Sequence, residues 1–455
     1  MRSSRALLIA LAWLSGCQTD PVGTEGDALL LAALPLTGKF APKGELHENA
    51  VRMGLQDLIS AGIEEAYGGK IQALEVNSGD GKDVVEQAIR DIIEGPDGEK
   101  ILGIISSTGD AHEGSARVAV EAGVPSFETS SGSGDDEFLD HSLYTEEQLS
   151  YLMSARALCN YEAVYTAQFI QSKHPNARVA LLRGDQVHDK MHTAVIRSTL
   201  EANGFQGTII ESNDPALSEE LDPGNRQDFE LSYDALNAGG IEDELRTILA
   251  DHQPDLVFFH LRGDGPNLRA LQDLDRAAFD GTIATCGMAR SSALIDPNEN
   301  GLISSYLVGR DASLATSRFH FMMRGATPSA RLDAFKAEYK GRFGLDADTF
   351  TPAVYDATVL WGLGVLAARS KDRADVLQGI ITSSQGGEAL SRDEMSSLIQ
   401  RISAGEDVDY DGVFGAMDIR EDRTVPGYYY VERVIEDGAG AYTYEKLDDP
   451  APVAF

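Results

Sequence analysis

A regular exchange of short apolar runs and helical stripes is what most restricts this chain. ALLLAAL (28–34) reads as a buried strand. The stretch 46–59 follows, with Ala50, Val51, Met53, Leu55, Leu58 and Ile59 near helical spacing. IQALEV (71–76) is the next strand. In 83–94, Val84, Val85, Ala88, Ile89, Ile92 and Ile93 make a clean helical stripe. ILGII (101–105) is a strand, 110–122 a helix and VPSF (124–127) a short strand. Strands alternating with helices of about 10–15 residues specify a parallel, doubly wound α/β sheet.

The pattern then restarts. A helix over 160–173 precedes RVALLRG (178–184), a helix over 189–203 that Gly204 ends, and GTIIES (207–212). A helix over 241–250, DLVFFH (255–260), a helix over 266–276 and GTIAT (281–285) complete the second run. The polar stretch 213–240 reads as a surface insertion. Two successive α/β units of similar size imply two similar lobes. Past residue 310 come helices at 329–343, 352–369, 373–381 and 391–403, then strand-like VFGAMDI, GYYYVERV and AYTYEKL. Chain returning to finish both lobes produces this order. The expected division is 28–155 with about 308–405, and about 156–307 with 406–455, joined by a multi-crossover hinge.

Before the first strand, Arg2 and Arg5 precede a short apolar run and small residues ahead of Cys17. That is the plan of an export signal, and the run is far below the about 20 residues needed to span a bilayer. LSGC (14–17) resembles the bacterial lipoprotein signal, in which the cysteine becomes the acylated first residue. The expectation is a signal over 1–16, a lipid on Cys17 and a polar tether over 17–27. By the same resemblance, Gln18 in place of aspartate points to the outer membrane of a diderm bacterium.

The net charge of −35, from 73 acidic and 38 basic residues, would be repelled by a phosphate backbone, which sets nucleic acid aside as a partner. Of three cysteines, Cys159 and Cys286 remain beyond Cys17, on an export route where disulfides form. Whether they pair depends on backbone reach, which the sequence leaves open. No cysteine or histidine spacing resembles a metal site.

Six segments, taken in order, resemble the branched-chain amino-acid binding proteins. LPLTGKFAPKGELHENAVRMGLQDL resembles their opening strand, turn and helix. ILGIISSTGDAHEGSARVAVEAGVP is similar to the strand that closes on the ligand, and ARVALLRGDQVHDKMHTAVIRSTLEANG to the first strand and helix of lobe two. QPDLVFFHLRGDGPNLRALQDL, PAVYDATVLWGLGVLA and YDGVFGAMDIREDRTVPGYYYVERV match later elements. The resemblance spans about 28–435 and implies the type I periplasmic binding protein fold, two Rossmann-like lobes closing on a small ligand.

It also implies ligand-binding residues: Lys43 before Gly44, Ser107 and Thr108 after the third strand, Ser130 and Ser131 after VP, His188, and Arg262. Gly132 replaces a threonine, and Gly287 stands where an acid for a ligand ammonium often sits. Since a buried ammonium needs a negative partner, the expected ligand is small, polar, and anionic or sugar-like rather than a standard amino acid. Lys43, His188 and Arg262 can equally touch only solvent at a rim, and Ser130 and Ser131 can simply cap a helix.

Other chemistry is set aside. DVDYDGVFGAMD (407–418) matches the front of a calcium loop, but it ends in Asp418 rather than glutamate, and no second helix follows. GDQVHD (184–189) holds a His–Asp pair without a nucleophile motif, so no enzyme activity is expected. SGSGDDEFLD (131–140) lacks the basic residue of a phosphate loop. No cofactor is expected. The resemblance implies a lipid-anchored solute-binding protein that serves an ABC permease. The alternatives are a non-transport lipoprotein of the same fold that docks proteins, as peptidoglycan-synthase activators do, and a sensory ligand-binding module.

Overall fold

The computed structural model describes residues 26–79, 81–107, 109–130, 143–156, 158–184, 187–210, 229–238, 240–261, 264–287, 306–308, 318–436, 442–447 and 453–454. The expected signal, Cys17 and most of the tether lie outside these residues.

The chain begins with β1 (Ala28–Leu34), α1 (Ala41–Ser60), α2 (Ile63–Tyr67), β2 (Ile71–Asn77) and α3 (Lys82–Ile93). It continues through β3 (Ile101–Ser106), α4 (Gly109–Ala122), β4 (Ser126–Glu128), α5 (Glu146–Leu149) and β5 (Leu152–Ser154). Next come α6 (Cys159–Lys173), β6 (Arg178–Gly184), α7 (Val187–Ala202), β7 (Thr208–Ile210), β8 (Phe229–Leu231) and α8 (Tyr233–Ala238). They lead to α9 (Glu242–His252), β9 (Leu256–His260), α10 (Asp264–Arg276), β10 (Thr282–Cys286) and β11 (Phe319–Gly325). After these stand α11 (Ala330–Phe343), α12 (Thr351–Ala368), α13 (Arg373–Ser383), β12 (Glu388–Ser391), α14 (Met395–Ala404) and β13 (Val408–Asp411). The last elements are β14 (Tyr428–Glu436), β15 (Tyr442–Leu447) and β16 (Val453–Ala454).

Two compact units result: Met1–Leu158 with Gly325–Gly427, and Cys159–Arg324 with Tyr428–Phe455. The second and third crossings fall some twenty residues later than the sequence suggests. β11 stays with the second unit because it pairs in parallel with β10. β13 stays with the first because it pairs with β12.

Unit 1 is built on a parallel sheet in the order β2-β1-β3-β4-β5. β1 has neighbours on both sides, and all seven of its residues are buried, as an unbroken apolar run requires. α12 is apolar and long enough to cross a membrane, yet it lies inside unit 1, with every residue from Thr351 to Leu366 buried. Gly103 in β3 forms the slot for its Trp361: a Cβ there would stand 2.3 Å from Trp361 Cδ1. Gly103→Ala is therefore expected to overpack the core at a cost of about 1–3 kcal/mol. The urea midpoint and Trp361 fluorescence check it, and an unchanged midpoint would show that the slot yields.

On the outer side of α12, Asp57 gathers Arg392 Nη2 at 2.6 Å, the Tyr355 hydroxyl at 2.9 Å and Arg342 Nη2 at 2.9 Å. This ties α1, α11, α12 and the turn after β12 together. The segment VFGAMDI, expected as a strand, instead runs as turns with one bridge, Asp411–Ala416. Its backbone is claimed by the buried Asp356 of α12, which accepts the N–H groups of Val413 (3.0 Å) and Phe414 (2.7 Å) and the Tyr410 hydroxyl (2.7 Å). Gly412 leaves the room: a Cβ there would lie 2.5 Å from Asp356 Oδ2. The acids of the calcium-like stretch repel one another, so burial and then Asp418, Asp411 and Asp407 push Asp409 up to about 6.

Unit 2 has a larger sheet in the order β15-β14-β11-β10-β9-β6-β7, with β8 also on β6 and β16 on β14. Its centre is parallel, and β14 and β15 form an antiparallel hairpin. An aromatic ladder runs from Phe259 through Phe319 and Phe321 to Tyr444. The expected surface insertion is in part sheet: Phe229–Leu231 pairs with β6.

Candidate functional site

In open parallel sheets, ligands gather beyond the carboxyl ends of the strands. In unit 1 those ends are rich in polar groups whose loops are locked from below. At the end of β1, Asn77 accepts the Leu36 N–H (3.0 Å) and donates to the Thr37 hydroxyl (2.9 Å). Gly44, in the first turn of α1, packs straight onto this turn; a Cβ there would lie 2.2 Å from the Pro35 carbonyl oxygen. That close approach fixes the start of α1, and with it Lys43.

At the end of β3, the Ser107 N–H donates to Ala33 (3.3 Å), and its carbonyl accepts the Ser130 hydroxyl. The Ser107 hydroxyl is fully buried and has no hydrogen-bond partner among the described residues. Thr129 is spent on structure, since its N–H and hydroxyl both donate to the Ser106 carbonyl. The Ser130 N–H donates to Glu128 at 2.6 Å.

Glu128 is the hub of this edge. Only 2% exposed, it also accepts the Ser154 hydroxyl (3.2 Å) and Arg156 Nε (2.9 Å). The Arg156 guanidinium lies 4.9 Å from the Phe350 ring, and Lys43 Nζ lies 5.3 Å from the same ring. Phe350 is placed by Asp348, whose Oδ1 accepts the N–H groups of Phe350 and Thr351 and the Thr351 hydroxyl, while Oδ2 faces His47 at 3.4 Å. Burial pushes the His47 imidazole below its ordinary value, against the pull of Asp348. Burial also pushes Asp348 up, but His47, Lys43 and Thr351 outweigh it and hold the carboxyl well below the usual range. The result is two cations around one aromatic ring, beside serines with hydrogen-bonding capacity. Two clefts of about 550 Å³ lie at the opposite end of the sheet, one near Tyr67 and Arg369, the other near Tyr151 and Arg373.

Unit 2 presents its own polar edge. His260, ending β9, hydrogen-bonds Asp189 at 2.8 Å and stacks on His192 with centroids 4.2 Å apart. All three are fully buried or nearly so. Arg183, ending β6, pairs with Glu230 at 2.7 Å. At the end of β10, the Gly287 N–H donates to Glu162 at 3.0 Å.

Of the residues singled out from the sequence, Lys43, Ser107 and Ser130 come together on the unit 1 edge. Thr108, Ser131 and Arg262, and the side chain of His188, lie outside the described residues. Cys159 and Cys286 are both buried thiols, not joined in a disulfide. Sequence reasoning missed Glu128, Arg156, His47, Asp348 and Phe350. The one available signal was Arg156, a charge inside the otherwise apolar and small LMSARALC.

Two α/β units, each returning to collect late elements, define the fold of the type I periplasmic binding proteins, and solved structures bear this out. An ABC transporter substrate-binding protein of Sphaerobacter thermophilus superposes with a TM-score of 0.63 at 13% identity, over 94% of this chain and 98% of its own. A solute-binding protein of Rhodopseudomonas palustris, solved with 3,4-dihydroxybenzoic acid, gives 0.61 at 16% identity, over 95% and 98%. The leucine-binding protein LivK of Thermotoga maritima gives 0.61 at 14% identity, over 92% and 97%. No family model matches the sequence, and no curated protein matches it.

Proposed function

We propose that this chain is a solute-binding protein of an ABC importer, held in the periplasm by a lipid on Cys17. It captures a small polar ligand, amino-acid-like or anionic, with Lys43, Ser107 and Ser130, and Thr108, Ser131, His188 and Arg262 complete the set. The observation that carries this reading is the buried Ser107 hydroxyl, whose hydrogen-bonding capacity is unfilled at the carboxyl edge of a parallel sheet. Lys43 and the Glu128-paired Arg156 stand on the same edge. The neighbours' amino-acid and aromatic-acid ligands support the same class of solute.

A thermal-shift screen of protein lacking residues 1–17 tests it, using amino acids, sugars, dicarboxylates, aromatic acids and phosphorylated metabolites. A ligand at about 100 times its Kd adds about 2.7 kcal/mol, several degrees of shift. Lys43→Ala and Ser107→Ala are expected to abolish that shift while leaving the unliganded midpoint nearly unchanged. Gln18 favours one second reading, a docking lipoprotein of the outer membrane, because an importer's receptor must reach the inner one. A flat screen together with co-purification of a cell-wall synthase would establish that reading instead.

A further inference from the structure

Unit 2 keeps its two cysteines around one buried cation. Cys159 opens α6 and Cys286 closes β10. Three residues past Cys159, and so on the same helix face, Glu162 binds the N–H of Gly287, the residue after Cys286. Its other oxygen lies 3.2 Å from Arg324 Nε. The Arg324 guanidinium, near the end of β11, is within electrostatic reach of Cys159, Tyr429 and Cys286 as well as Glu162. One guanidinium therefore acts on two thiols through its charge, and the N-terminus of a fifteen-residue helix adds its positive end at Cys159. Both influences favour thiolate, the form that attacks disulfides, against the burial of both thiols, which opposes it.

We propose that Cys159 and Cys286 are a redox pair, which oxidation joins into a disulfide that staples the start of α6 to the end of β10. The Cys159 thiolate attacks one sulfur of a small disulfide such as oxidised glutathione and expels one glutathione thiolate. The Cys286 thiolate then attacks the Cys159 sulfur of the mixed disulfide, forms the protein S–S bond and expels the second. Two protein S–H groups are lost, and the reagent's disulfide is reduced to two thiols. Glu162 keeps Arg324 paired throughout. The staple closes a long loop, the case in which a cross-link restrains the unfolded chain most.

The test uses the Cys17→Ser chain, in which these are the remaining two of three cysteines. The folded protein is incubated with oxidised glutathione, quenched in acid, unfolded, alkylated and weighed intact. The expected product is two hydrogens lighter than the reduced chain, carries neither alkyl group nor glutathione, and melts several degrees higher. Cys286→Ala is expected to stop at a single glutathione on Cys159, because the resolving thiol is gone. Two alkyl groups after oxidation, or one glutathione on each cysteine, would overturn the pairing.

Discussion

Replacing Arg156 with alanine is expected to cost unit 1 about 3–5 kcal/mol, the range found when one partner of a buried ion pair is removed. Glu128, at 2% exposure, would keep the Ser154 hydroxyl and the Ser130 N–H but lose its cation. Arg156 is itself fully buried, so its own hydration is lost on folding, and Glu128 and the Phe350 ring replace part of it. Arg156→Met with Glu128→Gln removes both charges and nearly keeps the volume. That double variant is expected to recover most of the loss. Trp361 makes the measurement specific, since the other of the two tryptophans is Trp13, inside the expected signal. In protein lacking that segment, urea unfolding followed by tryptophan fluorescence reports on unit 1 alone. A single variant no less stable than the double would show that the charges are not coupled.

Asp356→Ala is the second large effect, on the order of 3 kcal/mol, because three buried donors lose one acceptor together. They are the N–H groups of Val413 and Phe414 and the Tyr410 hydroxyl. Tyr410→Phe removes one donor with its need and is expected to cost only about 1 kcal/mol. Asp356 also gives unit 1 a pH dependence. Burial pushes its carboxyl from 3.8 up to about 7, against the pull of those donors. In the unfolded chain the group ionises near its ordinary value, while in the folded chain it keeps its proton longer. Stability from this group is therefore complete below about pH 4 and is lost progressively as pH rises toward 7. Unfolding midpoints at pH 5 and pH 8 measure it, and Asp356→Asn is expected to flatten the difference. An equal slope in the asparagine variant would assign the pH dependence elsewhere.

Elements with strong local periodicity were legible from the sequence. ALLLAAL, the 83–94 stripe and the 352–369 helix all fall where the structure has β1, α3 and α12. The three-residue β5 was not, because so short a stretch carries no periodicity of its own, and neither was the seven-residue β11, whose FHFMMRG is neither an unbroken apolar run nor a clean alternation. VFGAMDI misled for a different reason: its apolar residues face a buried carboxylate through their backbone, which no alternation rule sees. The site divides in the same way. Lys43, Ser107 and Ser130 each follow directly from the end of a strand or the start of a helix. Glu128 with Arg156, and His47 with Asp348, are partnerships between distant stretches of chain. Nothing local in either member names the other.

The two later crossings, after Arg324 and after Gly427, bear on how the molecule can be made. A growing polypeptide emerges N-terminus first, and by Leu158 it has all five strands of the unit 1 sheet. It still lacks α12, so the slot at Gly103 stands empty and the part of the sheet that α12 covers is open. The second sheet waits longer still, because β14, which lies between β11 and β15, belongs to the final stretch. A ribosome stopped anywhere before Gly427 has therefore released no finished unit. A frameshift just after Gly427 spares the first unit but removes β14 and β15 from the second, and whatever escorts the nascent chain must hold that second half open longest.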